Sequence, residues 1–236
     1  VQTGTLSLAG GGTSSGTFTV AAGTILNFSG GTHTVSGSLS GAGTVTFGGA
    51  TVNIEGPYNI TGSTTVSGGT ANFNAAATVS SVGSTLTING LANFSSGALI
   101  SVPTLTLSGG TLAGSYTVTG SGSTTWTSGT MSGNGVTIAN GGLDLSGGDK
   151  TLSGRTLNNA GTATLTGVSS RFFLGTGAVF NNLAGAMFQA QTDQGIFNGG
   201  GAASTVHNAG TFTRSVGTGT FSVNSPVAFN NTGTVD

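Results

Sequence analysis

The sequence predicts an all-β protein, a single right-handed parallel β-helix whose short strands wind around one axis. Three observations support this fold. Apolar residues alternate with Thr or Ser over four or five positions, glycines interrupt the alternation, and similar segments return about every 20 residues. No stretch has the i, i+3, i+4, i+7 apolar spacing of an amphipathic helix.

The composition favours this ordered fold over a flexible linker. Glycine accounts for 46 of 236 residues and charged residues for only 4%, against about 25% in typical globular domains. Disordered chains combine few apolar residues with high net charge. Here 35% of residues are apolar, 13 are Phe, and the net charge is -1.

The charge balance excludes several classes of partner. Phosphate backbones and anionic membranes attract clustered Lys and Arg, and this chain has only four such residues. No apolar run approaches the ~18 residues of a membrane span. The absence of Cys excludes disulfides and thiolate metal sites. We therefore expect no nucleic-acid partner, no membrane insertion and no cofactor.

The strands repeat at a nearly constant interval. One marker residue per repeat lies 19 to 25 residues from the next, at Thr5, Thr24, Thr44, Ser63, Thr85, Thr104, Ser123, Gly142, Thr162, Ala186, Thr211 and Thr234. Two or three short strands fit within each interval. This spacing predicts about 11 coils with short sides, each too thin to bury a core without its neighbours. The glycine pairs between strands are expected at the corners, where tight bends require backbone freedom.

We expect one continuous solenoid over residues 1–236, with narrower coils in 1–161 and wider coils in 162–236. The last three intervals are longer, and eight of the thirteen Phe lie in this part: Phe172, Phe173, Phe180, Phe188, Phe197, Phe212, Phe221 and Phe229. Stacked aromatic rings are expected to fill the wider interior.

An amide phrase recurs four times in the C-terminal third. The first copy has the sequence Leu157-Asn158-Asn159-Ala160-Gly161, and similar sequences surround Asn181-Asn182, His207-Asn208 and Asn230-Asn231. Alternation from the apolar residue before each pair places the second amide inward at a corner. We predict a column of stacked amides that sets the register of the coils: Asn159, Asn182, Asn208 and Asn231.

Residue types suited to catalysis or metal binding are sparse. General acid–base chemistry needs convergent carboxylates, but Asp144 and Asp149 are separated by a glycine corner and Asp193 lies more than one coil later. Asp149 and Lys150 are interpreted as a solvated corner pair. His33 and His207 show no metal-ligand spacing. We expect no enzymatic activity.

Outward Thr residues on the marker strands form two columns. Their most regular members are Thr44, Thr46, Thr85, Thr87, Thr104, Thr106, Thr162 and Thr164. Flat Thr-x-Thr arrays on solenoids resemble the surfaces of some ice-binding proteins, which makes ice binding the alternative function. Thr is also a common outward residue in any strand. The array is interrupted around Leu26-Asn27, Gly142/Asp144 and Phe188.

Several phrases resemble repeat units of large secreted bacterial β-solenoid proteins. These phrases are Thr104-Leu-Thr-Leu-Ser-Gly-Gly-Thr-Leu-Ala-Gly114, Lys150-Thr-Leu-Ser-Gly-Arg-Thr-Leu-Asn-Asn-Ala-Gly161 and Ala178-Val-Phe-Asn-Asn-Leu-Ala-Gly-Ala-Met-Phe188. The family comprises filamentous, adhesin-like and autotransporter-type passenger proteins. The resemblance implies an extracellular structural role in a filament or cell-surface stalk. A polysaccharide-binding or polysaccharide-cleaving β-helix is the less favoured reading.

The two ends of the chain also suggest an array. Joining Asp236 to Val1 continues the alternating, strand-like sequence without interruption. We therefore expect tandem copies or coaxial end-to-end stacking. The expected partner is a second copy of the chain, and surface glycans are a further candidate. One difficulty is that Thr234 and Thr5 would then be only seven residues apart, about one side of a coil.

Overall fold

The computed structural model describes residues 1–95 and 99–236, and its regular elements there are 29 β-strands. Every strand pairing among these residues is parallel, between segments one coil apart. The predicted all-β solenoid of about 11 coils is confirmed. In the described part of the chain, no helix has the length and apolar character needed to cross a membrane.

Each coil has three sides, which we call faces 1, 2 and 3. Face 1 contains the marker strands: Thr5–Leu8, Ile25–Phe28, Thr44–Phe47, Ser63–Val66, Thr85–Ile88, Leu143–Leu145, Thr162–Thr166, Met187–Gln191, Thr211–Arg214 and Thr234–Val235. Face 2 contains Gly12–Ser14, Thr32–Val35, Thr51–Ile54, Thr70–Phe73, Leu91–Phe94, Lys150–Ser153, Phe172–Gly175 and Ile196–Asn198.

Face 3 contains Phe18–Val20, Leu39–Gly41, Pro57–Ile60, Thr78–Val82, Val136–Ala139, Thr156–Asn159, Val179–Asn182, Thr205–Asn208 and Ala228–Asn231. Its first four strands form a separate sheet. Two long strands, Ile100–Gly114 and Thr117–Ser132, bend around the corners and contribute to all three faces. They join the faces in the middle of the solenoid.

The core follows from the two-residue period of the strands. In strand Thr44–Phe47, Val45 and Phe47 are fully buried while the two Thr side chains lie on the outer surface. The same pattern in successive coils builds one continuous column of apolar residues. Aromatic rings stack between neighbouring coils, as Phe28 does on Phe47 with ring centroids 5.7 Å apart.

Two of the predicted marker positions are wrong by one residue. Ile25 pairs with Thr5 and with Thr44, and Met187 pairs with Thr162, so the markers Thr24 and Ala186 precede their strands. The reason is burial: the correct register turns Leu26 and Phe188 into the core, where both are fully buried.

The interpretation of all eight C-terminal Phe residues as interior filling is wrong for two of them. Phe172 and Leu174 point inward, and Phe173 between them lies on the outer surface of face 2. Phe197 occupies the same outward column one coil later. Trp126, by contrast, is fully buried.

The terminal coils expose side chains that are buried elsewhere in the same columns. Leu6 is 43% exposed and Val235 is 54% exposed, whereas Leu26 and Val45 are fully buried. Thr5 and Thr234 both belong to face 1. A direct join from Asp236 to Val1 would therefore place two strands of one face seven residues apart, too few residues to form faces 2 and 3 between them.

Candidate functional site

The four predicted inward amides lie in one hydrogen-bonded column at the corner after face 3. Asn159 Nδ2 donates to Asn182 Oδ1 at 2.8 Å, Asn182 Nδ2 to Asn208 Oδ1 at 2.7 Å, and Asn208 Nδ2 to Asn231 Oδ1 at 2.7 Å. The first three side chains are buried, whereas Asn231 is exposed in the terminal coil. We call these four residues the amide ladder.

The amide ladder also binds the backbone of the next coil. The Nδ2 groups of Asn159, Asn182 and Asn208 donate their second hydrogen to the carbonyl of the first residue of a face 1 strand in the next coil. These carbonyls belong to Met187, Thr211 and Thr234, at 2.9, 3.0 and 2.8 Å. Each buried amide thus uses both hydrogens and its oxygen inside the protein, as a buried polar group must. The ladder joins face 3 of one coil to face 1 of the next.

A second amide column lies on the outer surface of face 3. Asn181 Nδ2 donates to Asn158 Oδ1 at 2.8 Å. Further along the column, Asn230 Nδ2 approaches His207 Nδ1 at 3.4 Å. The chain therefore uses consecutive Asn residues on both sides of the same strands, with the inner column in contact with more partners.

The outward Thr columns are regular along the middle of face 1. Five consecutive coils present Thr or Ser in both outward positions, and their Cα partners are in direct register: Thr44/Thr46, Ser63/Thr65, Thr85/Thr87, Thr104/Thr106 and Ser123/Thr125. Hydroxyls also bond within the column, since Thr44 Oγ1 and Ser63 Oγ lie 2.9 Å apart.

The face 1 array is interrupted on both sides of this central block. Ile25 and Asn27 occupy the outward positions of the second coil, and Asp144 stands between Thr125 and Thr164. Met187 and Gln189 follow Thr162 and Thr164 and separate them from Thr211 and Thr213. The two members Thr162 and Thr164 therefore lie apart from the central block.

The interpretation of Asp149 and Lys150 as a solvated corner pair is wrong. Lys150 points into the solenoid and is fully buried, with Nζ donating to Gly148 O at 2.6 Å and to Ser170 Oγ at 2.8 Å. Burial lowers the pKa of Lys150 to about 8, although the negative charges of Asp144 and Asp149 act in the opposite direction and raise it. Asp149 pairs instead with Arg171.

Arg155 is a second buried cation, and the sequence patterns did not single it out. Its guanidinium donates to Thr137 Oγ1 at 2.8 Å and to the carbonyl oxygens of four residues at 2.8 to 3.1 Å: Gly114, Ser132, Tyr116 and Val136. Burial lowers its pKa to about 10. These five bonds connect successive coils, so Arg155 stabilises their stacking from inside the solenoid.

The acidic residues are distributed as isolated surface groups. Asp149 accepts from Arg171 Nε at 3.0 Å, Asp193 pairs with Arg214, and Asp144 accepts from Ser146 at 3.0 Å. The Arg171 hydrogen bond holds the pKa of Asp149 below its usual range. Across residues 1–95 and 99–236, no cluster of three or more His, Asp or Glu side chains forms a metal-binding group.

The histidines lie in unlike surroundings. His33 faces the interior, with Nε2 3.0 Å from Gly30 O and its ring packed against Phe28 at 5.0 Å between centroids. His207 is outward in the outer amide column. The polar contacts of the amide ladder and Arg155 join successive coils and hold them in register. Comparisons of the chain with protein-family models, with curated proteins and with solved structures found no significant match.

Proposed function

We propose that the chain is an extracellular structural protein, a β-solenoid unit of a filament or cell-surface stalk that stacks coaxially on copies of itself. The observation that carries this proposal is the state of the end coils. Among the residues that the structure describes, strands Thr5–Leu8 and Thr234–Val235 lie at the two limits of face 1, and each pairs with one neighbouring strand. Such edges carry backbone N–H and C=O groups that a further parallel strand would pair with.

The two end surfaces are compatible with one another. Both terminal strands on face 1 have an outward Thr followed by an inward apolar residue, so Thr5 would extend the column of Thr234 and Leu6 would cover Val235. Contact between different ends of identical units is heterologous, and such contacts produce open filaments when the rotation does not close a ring.

Coaxial assembly is tested by electron microscopy and analytical ultracentrifugation of the purified chain. Eleven coils at ~4.8 Å per coil make one unit roughly 50 Å long, so we expect rods at multiples of that length. Leu6→Lys would place a charge in the end contact and shift the population to single units. Val168→Lys is the matched control, because Val168 is 91% exposed on the side of the solenoid.

Single short rods from the unaltered chain at high concentration would contradict coaxial assembly. Equal loss of long rods in both variants would also contradict it, because the effect would then follow from added charge and not from the end surface. Circular dichroism of both variants verifies that the solenoid is intact.

Ice binding is a second candidate, and the five-coil hydroxyl block of face 1 favours it. Repeated strands place equivalent hydroxyls at a regular interval along the axis, as a flat match to a crystal surface requires. Thermal hysteresis and ice-crystal shaping measure the activity, and Thr87→Tyr in the centre of the block would abolish it. Thr70→Tyr on face 2 is the control. No hysteresis in the unaltered protein would eliminate this candidate.

A further inference from the structure

Two outward aromatic rings interrupt a column of threonines on face 2. The column runs through Thr111, Thr130 and Thr151 and continues as Phe173 and Phe197. The two rings lie on adjacent coils with centroids 5.6 Å apart and an interplanar angle of 38°. Both are half-buried and keep part of their surface in contact with solvent. We call this pair the aromatic platform.

Beside the platform the neighbouring outward column changes to glycine, and Gly175 itself is buried under the backbone of the next coil. Ser153 is followed in register by Gly175, and Gly199 N donates to Leu174 O at 2.7 Å one coil later. A Cβ on Gly175 would lie 2.9 Å from the Gly199 backbone. The two backbones therefore pack closely next to the rings, at a column position where most other coils carry a side chain such as Asn53, Asn72 or Ser153.

The opposite side of the platform carries hydrogen-bonding groups of both kinds. The Arg171 guanidinium lies 5.2 Å from the centre of the Phe173 ring. It donates to both oxygens of Asp149, and the two side chains remain 49% and 38% exposed. This pair places N–H donors over the face of the Phe173 ring and carboxylate acceptors next to them.

From this juxtaposition we propose that the aromatic platform is a binding site for a neutral saccharide. One face of a pyranose ring carries C–H groups, whose partial positive charge complements the negative face of an aromatic ring. The sugar hydroxyls, which both donate and accept, then meet Arg171 and Asp149. Two rings on successive coils allow two neighbouring sugar residues to lie along the solenoid axis.

The size of the surface favours a saccharide over a protein partner. Two Phe rings present at most about 150–250 Å² each even when fully covered, whereas a stable protein interface buries about 1,600 Å² in total. Apart from the Arg171–Asp149 pair, the surrounding face 2 residues are Thr151, Ser153, Asn198 and the glycines Gly175 and Gly199. A small apolar patch within a hydroxylated neutral face matches a carbohydrate chain, and binding is independent of whether the units stack coaxially.

The test uses the full chain labelled with ¹³C at Phe and titrated with cellohexaose, chitohexaose and maltohexaose. We expect at least one of these oligosaccharides to give saturable shifts in the ring resonances of Phe173 and Phe197, while buried rings such as Phe73 stay unchanged. The double variant Phe173→Leu/Phe197→Leu should weaken binding about tenfold or more, because the stacked π-surfaces are lost.

Leu91→Ala is the matched control, since Leu91 is the apolar residue that occupies the same outward column at a distant coil. Arg171→Gln should weaken binding several-fold and leave the ring shifts present.

Absence of saturable shifts with all three oligosaccharides would overturn the proposal, as would unchanged affinity in the double variant. Sedimentation gives a further outcome: if the double variant abolishes self-association and the unaltered chain binds no oligosaccharide, the platform is a contact between copies. If the double variant does not fold, Phe197→Leu alone and the shifts in the unaltered chain decide the question.

Discussion

At the scale of single residues, the stability of the C-terminal coils depends on polar side chains inside the solenoid. The amide ladder is the clearest case, because each buried Asn satisfies its own groups and also a backbone carbonyl of the next coil. A buried donor or acceptor that loses its partner costs about 1–3 kcal/mol. Position within the ladder should therefore determine the effect of a substitution.

Asn182→Leu should lower the free energy of unfolding by about 2 kcal/mol, since Asn208 Oδ1 and the Thr211 carbonyl lose their donor. The control is Asn181→Leu in the same strand, whose side chain bonds Asn158 on the outer surface. Water can replace that bond, so the loss there should be below about 0.5 kcal/mol. Urea unfolding measures both, and equal losses would refute a structural role for the ladder.

Lys150 should make stability depend on pH in the alkaline range. Its pKa is about 8 in the folded chain against 10.5 for an unperturbed lysine, so between these values the unfolded chain binds more protons. The free energy of unfolding should therefore rise as pH increases from 8 toward 10.5, by up to about 3 kcal/mol in total. Burial raises the pKa of Tyr58, and its opposing effect begins only near pH 10.

Lys150→Met should remove this rise and stabilise the protein at pH 7, where a protonated amine is otherwise buried. Urea unfolding at pH 7.5, 8.5 and 9.5 provides the comparison. A slope that persists in Lys150→Met would show that another group titrates in this window. The inward direction of Lys150 was available in the sequence, because Leu152 two residues later is inward and strand side chains alternate.

At the scale of the strands and corners, glycine matters most where one coil touches the preceding one. Gly41 has φ of +130°, and a Cβ there would lie 2.1 Å from Val20 O in the coil below. Gly12 has nearly the same φ, +133°, with nothing within 4 Å of its Cβ position. The two glycines separate the cost of backbone conformation from the cost of close packing.

Gly12→Ala should destabilise the chain by about 1 kcal/mol, which reflects the positive φ alone. Gly41→Ala should cost more than about 3 kcal/mol, because the coil spacing must increase to relieve the contact with Val20. Thermal unfolding of the two variants gives the comparison. Similar melting temperatures would contradict this prediction. They would mean that the corners can move apart while the backbone hydrogen bonds between coils remain intact.

The presence of the strands was predictable from the sequence, whereas the exact residue at which each strand pairs with its neighbours was less so. Alternation placed the strands of face 1 correctly in most coils, but Thr24 and Ala186 were each one residue early. Both errors arose where two apolar residues are adjacent, Ile25-Leu26 and Met187-Phe188, so that alternation alone allows either of them to point inward. Packing decided the register, because a one-residue shift would have exposed Leu26 or Phe188.

At the scale of the whole molecule, each coil is stabilised by its two neighbours, and the end coils have one neighbour within the chain. This explains why Leu6 and Val235 are exposed while their counterparts in the interior are buried. It also explains why the stacking proposal concerns the ends and the saccharide proposal concerns a side. The two proposals use different surfaces and fail independently.

The sequence by itself determined the repeat, the all-β class, the approximate number of coils and the inward direction of the amide ladder. These depend on local alternation and period, which the order of residues contains directly. Only the tertiary structure decided which residues meet across coils: the five bonds of Arg155, the Ser170 partner of Lys150, and the pairing of Phe173 with Phe197. Those contacts join residues about 20 to 40 positions apart. They depend on the length of every corner between them, so no local pattern could specify them.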